Sequence, residues 1–175
     1  MNKVLKLGRA AMAFGFVSLL VSGQANAAGT ATANLSVTAT VSATCSISTT
    51  ALGFGTYDPV GANSASPLDG TGSVIVTCTN GAPAAITLGQ GANAGTGSTD
   101  AAPVRRLKDT AGVFLSYALY QDTGHTTQWG NTSGTSVAQT GTGSASSVTV
   151  YGRIAAAQNV ASGAYSDTVV ATVTF

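Results

Sequence analysis

The sequence has one histidine, no glutamate and only 7% charged residues, and each shortage closes off a chemistry. A Ser-His-Asp hydrolase would depend on His125. That residue sits in the polar run Asp122-Thr123-Gly124-His125-Thr126-Thr127, which reads as an exposed loop, and no G-x-S-x-G elbow occurs anywhere. Paired carboxylates for glycoside hydrolysis would have to come from aspartates alone. Asp58, Asp69, Asp100, Asp109 and Asp122 all stand in turn-like contexts, where Asp bonds its own backbone. A zinc site on the two cysteines would need two further ligands that one histidine does not supply. No metal, cofactor or catalytic residue is expected.

Basic residues are scarce where they would matter. Of the seven, Lys3, Lys6 and Arg9 belong to an N-terminal segment with the marks of an export signal. They precede an apolar run from Ala10 to Val21, and Ala25-Asn26-Ala27 follows as a small-x-small cleavage site. The run is too short for a membrane span, which needs about 20 residues. Cleavage after Ala27 would leave residues 28–175 with no anchor. That remainder keeps Arg105, Arg106, Lys108 and Arg153 against six aspartates, a net of −2. Such a balance excludes a nucleic-acid binder, which needs clustered cations to replace phosphate counterions. The run Arg105, Arg106, Lys108 reads as a solvated strand face.

What is abundant is Ala, Thr, Val, Ser and Gly, a composition suited to pleated strands and poor in helix formers. Cys45 and Cys78 in an exported chain point to a disulfide. Period-2 alternation recurs through Ala43-Cys45-Ile47, Val74-Val76-Cys78, residues 84–88, residues 104–108, Val113-Leu115-Tyr117-Leu119, Val148-Val150-Gly152-Ile154 and Val169-Ala171-Val173-Phe175. Many short strands without a helix predict an all-β sandwich of two sheets. Residues 52–59 read as a bent edge segment. Gly89-Gln90-Gly91-Ala92-Asn93-Ala94 superficially fits a dinucleotide fingerprint, but Gly95, Gly97 and Pro103 forbid the helix it requires, so it reads as a loop. Trp129, Tyr120 and Tyr151 suit core or inter-subunit packing, with sugar stacking as the alternative. Asp167 falls on the apolar parity of the last strand, either exposed at its start or paired with an arginine such as Arg153.

The N-terminal stretch departs from the rest. From Thr30 to Ser48 there is no Gly or Pro, and Ala31, Ala33, Leu35, Val37, Ala39 and Val41 alternate in step with Cys45. Extended, these 19 residues reach roughly 60 Å, against about 17–20 Å for an ordinary strand. With no turn, the segment cannot fold back beside the strand carrying Cys45, so its first half should project. Two readings stay open: a disordered tail, or a strand meant for another subunit's sheet.

Several motifs together resemble the spore coat U domain family, the pilins of archaic chaperone–usher pili. They are Cys45-Ser46-Ile47, then Leu52-Gly53-Phe54-Gly55-Thr56-Tyr57-Asp58-Pro59, and Gly72 leading through Val74-Ile75-Val76 to Cys78. Further on come Leu115-Ser116-Tyr117-Ala118-Leu119-Tyr120, Trp129-Gly130, Val150-Tyr151-Gly152-Arg153-Ile154 and Gly163-Ala164-Tyr165-Ser166-Asp167-Thr168-Val169. The resemblance implies an incomplete immunoglobulin-like sandwich, residues 43–175, completed by a donor strand from a neighbouring subunit. Residues 28–42 would be that donor extension, with Ala31, Ala33, Leu35, Val37, Ala39 and Val41 as plugs. The C-terminal strand, with Val169, Ala171, Val173 and Phe175, would line the acceptor groove. The implied partners are a periplasmic chaperone, an outer-membrane usher, other pilus subunits and identical copies in a surface fibre for attachment and biofilm formation. The implied role is a major rod subunit. A minor subunit of the same pilus and a secreted carbohydrate-binding β-sandwich are the alternatives.

Overall fold

A computed structural model describes residues 28–175. The export signal expected at residues 1–27 lies outside the described residues. The chain divides into two units, Met1–Ala39 and Thr40–Phe175. In the first, the described residues 28–39 form no regular secondary structure and every one is exposed.

The second unit is a sandwich of eight strands. One sheet contains β1 (Cys45–Thr50), β2 (Leu68–Cys78), β7 (Ala145–Ile154), β5 (Phe114–Tyr120) and β4 (Arg105–Lys108), in that order. The other contains β6 (Val137–Thr140), β3 (Pro83–Leu88) and β8 (Ala171–Thr174). All strand pairs are antiparallel. The only helical turn among the described residues is a 3-10 turn at Ser133–Thr135. The alternation legible in the sequence sets the inner faces. Val74, Val76 and Cys78 of β2, Leu115, Tyr117 and Leu119 of β5, and Val150 and Ile154 of β7 pack against Ala84, Ile86 and Leu88 of β3.

Cys45 and Cys78 stand opposite each other in the β1–β2 ladder and are disulfide-bonded. The bond fixes the first strand's register at the point where the chain enters the sandwich. Trp129 is completely buried, donates its indole N–H to the Ile86 carbonyl at 3.0 Å, and so ties the loop after β5 to the opposite sheet. Buried in this way, it has no face left for a sugar.

Three expectations are corrected. Arg105 is not on a solvated face: it is 1% exposed and donates to the carbonyls of Leu88, Gly89 and Trp129 at 2.6–2.9 Å. β4 is short and its inward position falls on an arginine long enough to reach the carbonyls ending β3, so the guanidinium substitutes for missing ladder partners. His125 is not an exposed loop residue, because its side chain is only 7% exposed. It packs edge-on to Tyr120 and Tyr151, with a positive φ of 54° that folds the loop back over the sheet. Arg153 does not meet Asp167, since it forms a two-pronged pair with Asp69, its cross-strand neighbour on β2, at 2.6 and 2.7 Å.

Candidate functional site

β1 pairs only with β2, and β8 pairs only with β3, so each is an edge of its sheet, as β4 and β6 are on the other side. β1 is mostly exposed along its length, and Ile47 is 36% exposed. An edge strand with free N–H and C=O groups and an apolar face is a template for pairing with another chain.

Beside β1 and β8 a cavity of about 380 Å³ runs in from the surface. Its walls are residues 49–52, which end β1 and continue beyond it, and Asp167, Thr168 and Val169 leading into β8 at Ala171. Its floor is the core itself: Val74, Leu88, Leu119 and Val150. A wider cavity of about 760 Å³ continues it, walled by residues 52–57, Pro59 and residues 160–167. Leu52, Phe54, Leu107 and Asp167 line both, so the two form one groove.

Glycines in the sheet make room for the groove's wall. A Cβ on Gly152 would lie 2.8 Å from Leu52 Cδ1 and Phe54 Cζ, and one on Gly72 would lie 2.9 Å from Leu52 Cβ and the Thr50 carbonyl. With no side chain at either position, residues 52–54 cross the inner face of β2 and β7 as irregular backbone. This is why the bent edge segment read from the sequence pairs with no strand.

At the junction of the two cavities lies Asp167. Its carboxylate accepts the Tyr117 hydroxyl at 2.7 Å, and the Asn93 backbone N–H and side-chain amide at 3.1 Å each. Burial, and then the hydrogen bond to Asp167, push the Tyr117 hydroxyl well above its ordinary pKa of 10. Burial pulls Arg105 down to about 10, so it is still charged at neutral pH, and it lies near enough to feel the charge of Asp167. The aspartate therefore clasps the segment entering β8 to β5 and to the loop after β3. Its inward parity was visible in the sequence, but its partners come from positions 50 and 74 residues away.

Of the residues expected to line an acceptor groove, Val169 and Ala171 line the cavity. Val173 is half-buried against the core, and Phe175 is 54% exposed at the chain end. Among the residues expected to donate, Leu35 is 88%, Val37 84% and Val41 83% exposed. Sequence reasoning missed Leu107, Leu115 and Val160 as groove lining. Periodicity marks a residue as inward-facing but not as bordering a gap.

No group of three or more His, Cys, Asp or Glu among the described residues is placed to hold a metal. No described helix is long and apolar enough to cross a membrane.

Residues 29–172 match the Spore Coat Protein U domain. The chain belongs to that family. It is 50% identical over 165 residues to Protein U of Myxococcus xanthus, covering 90% of this chain and 92% of that protein. Its fold is similar to a chain in the crystal structure of the CsuC–CsuE chaperone–tip adhesion subunit pre-assembly complex from archaic chaperone–usher Csu pili of Acinetobacter baumannii. That match has a TM-score of 0.54 at 21% identity, covers 78% of this chain and spans 40% of the matched chain. The immunoglobulin-like sandwich is thus a fold shared with a chain of that chaperone–usher complex.

Proposed function

We propose that this family member is a structural subunit of a chaperone–usher surface fibre, polymerising by donor-strand complementation. One observation carries the reading: a groove floored by core residues opens between the end of edge strand β1 and the segment leading into edge strand β8, in a chain that also has an apolar, alternating, exposed N-terminal segment. The groove lacks a strand and the segment is a strand without a sheet. In a head-to-tail polymer each copy's residues 31–41 fill the next copy's groove, along β8 with its Ala171 and Val173 and the flanking Val169 and Phe175. Burying Leu35 and Val37 stabilises each junction by roughly 1.5–3 kcal/mol per side chain.

An open groove exposes apolar core to water, so the newly exported subunit needs a temporary occupant. A periplasmic chaperone fits that need, and the fold likeness of this chain to one chain of a chaperone–subunit complex supports it. An outer-membrane usher then exchanges that occupant for the next subunit. The product is a homopolymer on the cell surface, with other pilus subunits at its end, serving attachment and biofilm formation. The role is structural and not enzymatic.

A second destination for the same assembly has its own support. The family description names a spore coat, and the 50% identity extends over nearly all of Protein U. A coat built from strand-exchanged subunits would use the same groove and the same donor.

The test is a double substitution, Leu35→Asp with Val37→Asp. The altered subunit should fold with its chaperone and accept a normal donor, yet be unable to donate. Fibres of normal length built from the double variant alone would refute strand donation. Failure to fold even with the chaperone would assign the segment to its own domain's core.

A further inference from the structure

Resting on strand donation, the structure assigns a second contact between successive copies, made by the turn that presents Val60. Within the unit Thr40–Phe175, Val60 is the most exposed large apolar residue described, at 88%. A single exposed valine is ordinary on a protein surface. Two features set this one apart: the rigidity of its turn and its position.

The turn is densely bonded. The Asp58 carboxylate accepts the backbone N–H groups of Val60 and Gly61 at 3.2 and 2.9 Å. Asn63, itself buried, accepts the Asp58 N–H at 2.9 Å, returns its own N–H to the Asp58 carbonyl at 2.8 Å, and donates its amide to Ser66 at 3.2 Å. Its carbonyl accepts the Ala157 N–H at 2.9 Å, which anchors the turn to the segment after β7. The backbone holding Val60 is already ordered, so a contact there loses little conformational entropy.

The position follows from topology. Cys45 pairs with Cys78 at one end of β2, and Leu68 at the other end pairs with Ile154. The 11 residues of β2 separate these ends by roughly 33 Å. The chain enters the sandwich at the cysteine end, through Thr44, whose N–H bonds the Thr79 hydroxyl at 3.0 Å. The Val60 turn lies at the opposite end, and its neighbour Pro59 lines the wide cavity that forms the groove's far mouth. A linear head-to-tail polymer requires the inserted strand to leave the groove at this far mouth. If it left at the cysteine end, two subunits would abut where each one's own extension departs, and growth would stop. The incoming copy's residues 42–44, exposed at the root of its extension, therefore arrive beside Pro59 and Val60. We infer that Val60 packs on Ala43 of the next copy and so sets the angle between neighbours, with the occupant a second copy of this chain.

The experiment uses full-length chains assembled into fibres. Val60→Cys and Ala43→Cys in one chain place the new thiols at opposite ends of each subunit, so any bond between them joins two subunits. Mild oxidation should give a ladder of covalent multimers that survives boiling in detergent and collapses with reductant. Neither single variant should give it. Ser42→Cys with Val60→Cys is the second probe, offset by one residue. In addition, Val60→Asp should assemble fibres of normal length whose subunit-to-subunit angles spread more widely in electron micrographs. Assembled fibres without a ladder from either cysteine pair, and with unchanged angles in V60D, would overturn the contact while leaving strand donation intact. If the Leu35 and Val37 double variant polymerises normally, strand donation itself falls, which is a separate outcome.

Discussion

If the groove lacks one strand, supplying that strand within the same chain should stabilise the subunit and remove its need for a partner. β8 runs toward the cysteine end of the sandwich, where the chain terminates at Phe175. A short turn after Phe175, followed by a second copy of residues 31–41, would return the chain antiparallel to β8 between the two edges. The native extension, residues 28–42, is deleted. Leu35, Val37 and Val41 are 83–88% exposed in the free extension. Burying each contributes roughly 1.5–3 kcal/mol, so about 5–9 kcal/mol in gross terms for the three. Ordering the appended residues opposes this, and new ladder hydrogen bonds on both sides of the strand offset that cost. Each ~1 kcal/mol of net gain would raise the melting temperature by roughly 2–4 °C for a domain of this size. Differential scanning calorimetry of the chaperone-free variant, against the chain lacking both copies, measures it. Size-exclusion chromatography should show a monomer that no longer captures the chaperone. A control with Leu35→Asp and Val37→Asp in the appended copy should lose the gain. An equal shift in that control, or none in the intact variant, would refute the argument that the cavity between β1 and β8 is a missing strand's seat.

The disulfide closes a separation of 33 residues, worth about 3–4 kcal/mol in the chain-entropy model. Reduction, or Cys45→Ser with Cys78→Ser, should lower the unfolding free energy read from a denaturant titration by that much and reduce subunit yield. Ending the chain at Thr172 removes half of β8 and its pairing with Ala85 and Ile86; chaperone capture and secretion should be lost, as a pull-down of the truncated subunit would show. Tyr117 should not ionise with the other tyrosines in an ultraviolet titration. Its pKa in the fold is raised by burial and then by Asp167, so its contribution to stability is complete below pH 10 and is lost as pH rises beyond that value. Its tyrosinate signal should therefore appear together with unfolding. Asp167→Ala should destabilise the domain by about 1–3 kcal/mol, by leaving a buried hydroxyl without its acceptor.

Much of the architecture was legible in residue order, because a strand's two faces repeat every two residues and that period survives in the sequence. Val74, Val76 and Cys78, Leu115, Tyr117 and Leu119, and Val150 with Ile154 all faced inward as their parity required. The short strand β6, in the Gly/Ser/Thr-rich region after Trp129, was not legible. With only Val137 to mark an inner face, its pairing with β3 comes from the neighbour and not from its own composition. Charge and polarity were the least readable. Arg105, Arg106 and Lys108 are similar residues in one short run, yet one is buried beneath three carbonyls and another lies over the Phe114 ring at 3.8 Å. Which is which depends on the side of β4 that meets the end of β3. His125 reads as a loop residue because it is one, but the loop folds back onto Tyr120 and Tyr151, an arrangement set by a single positive φ.

By itself, then, the sequence determined the strand periodicity, the cysteine pair, the poverty in catalytic groups and the turnless, alternating stretch from Thr30 to Ser48. All of these are properties of residue types and their spacing along one dimension. The tertiary structure alone decided that β1 and β8 are edge strands of facing sheets, that Leu52 and Phe54 cross over Gly72 and Gly152 to wall the cavity beside them, and that Asp167 is clasped by Tyr117 and Asn93. A gap is a relation between segments far apart in the chain, and no local pattern encodes the absence of a neighbour.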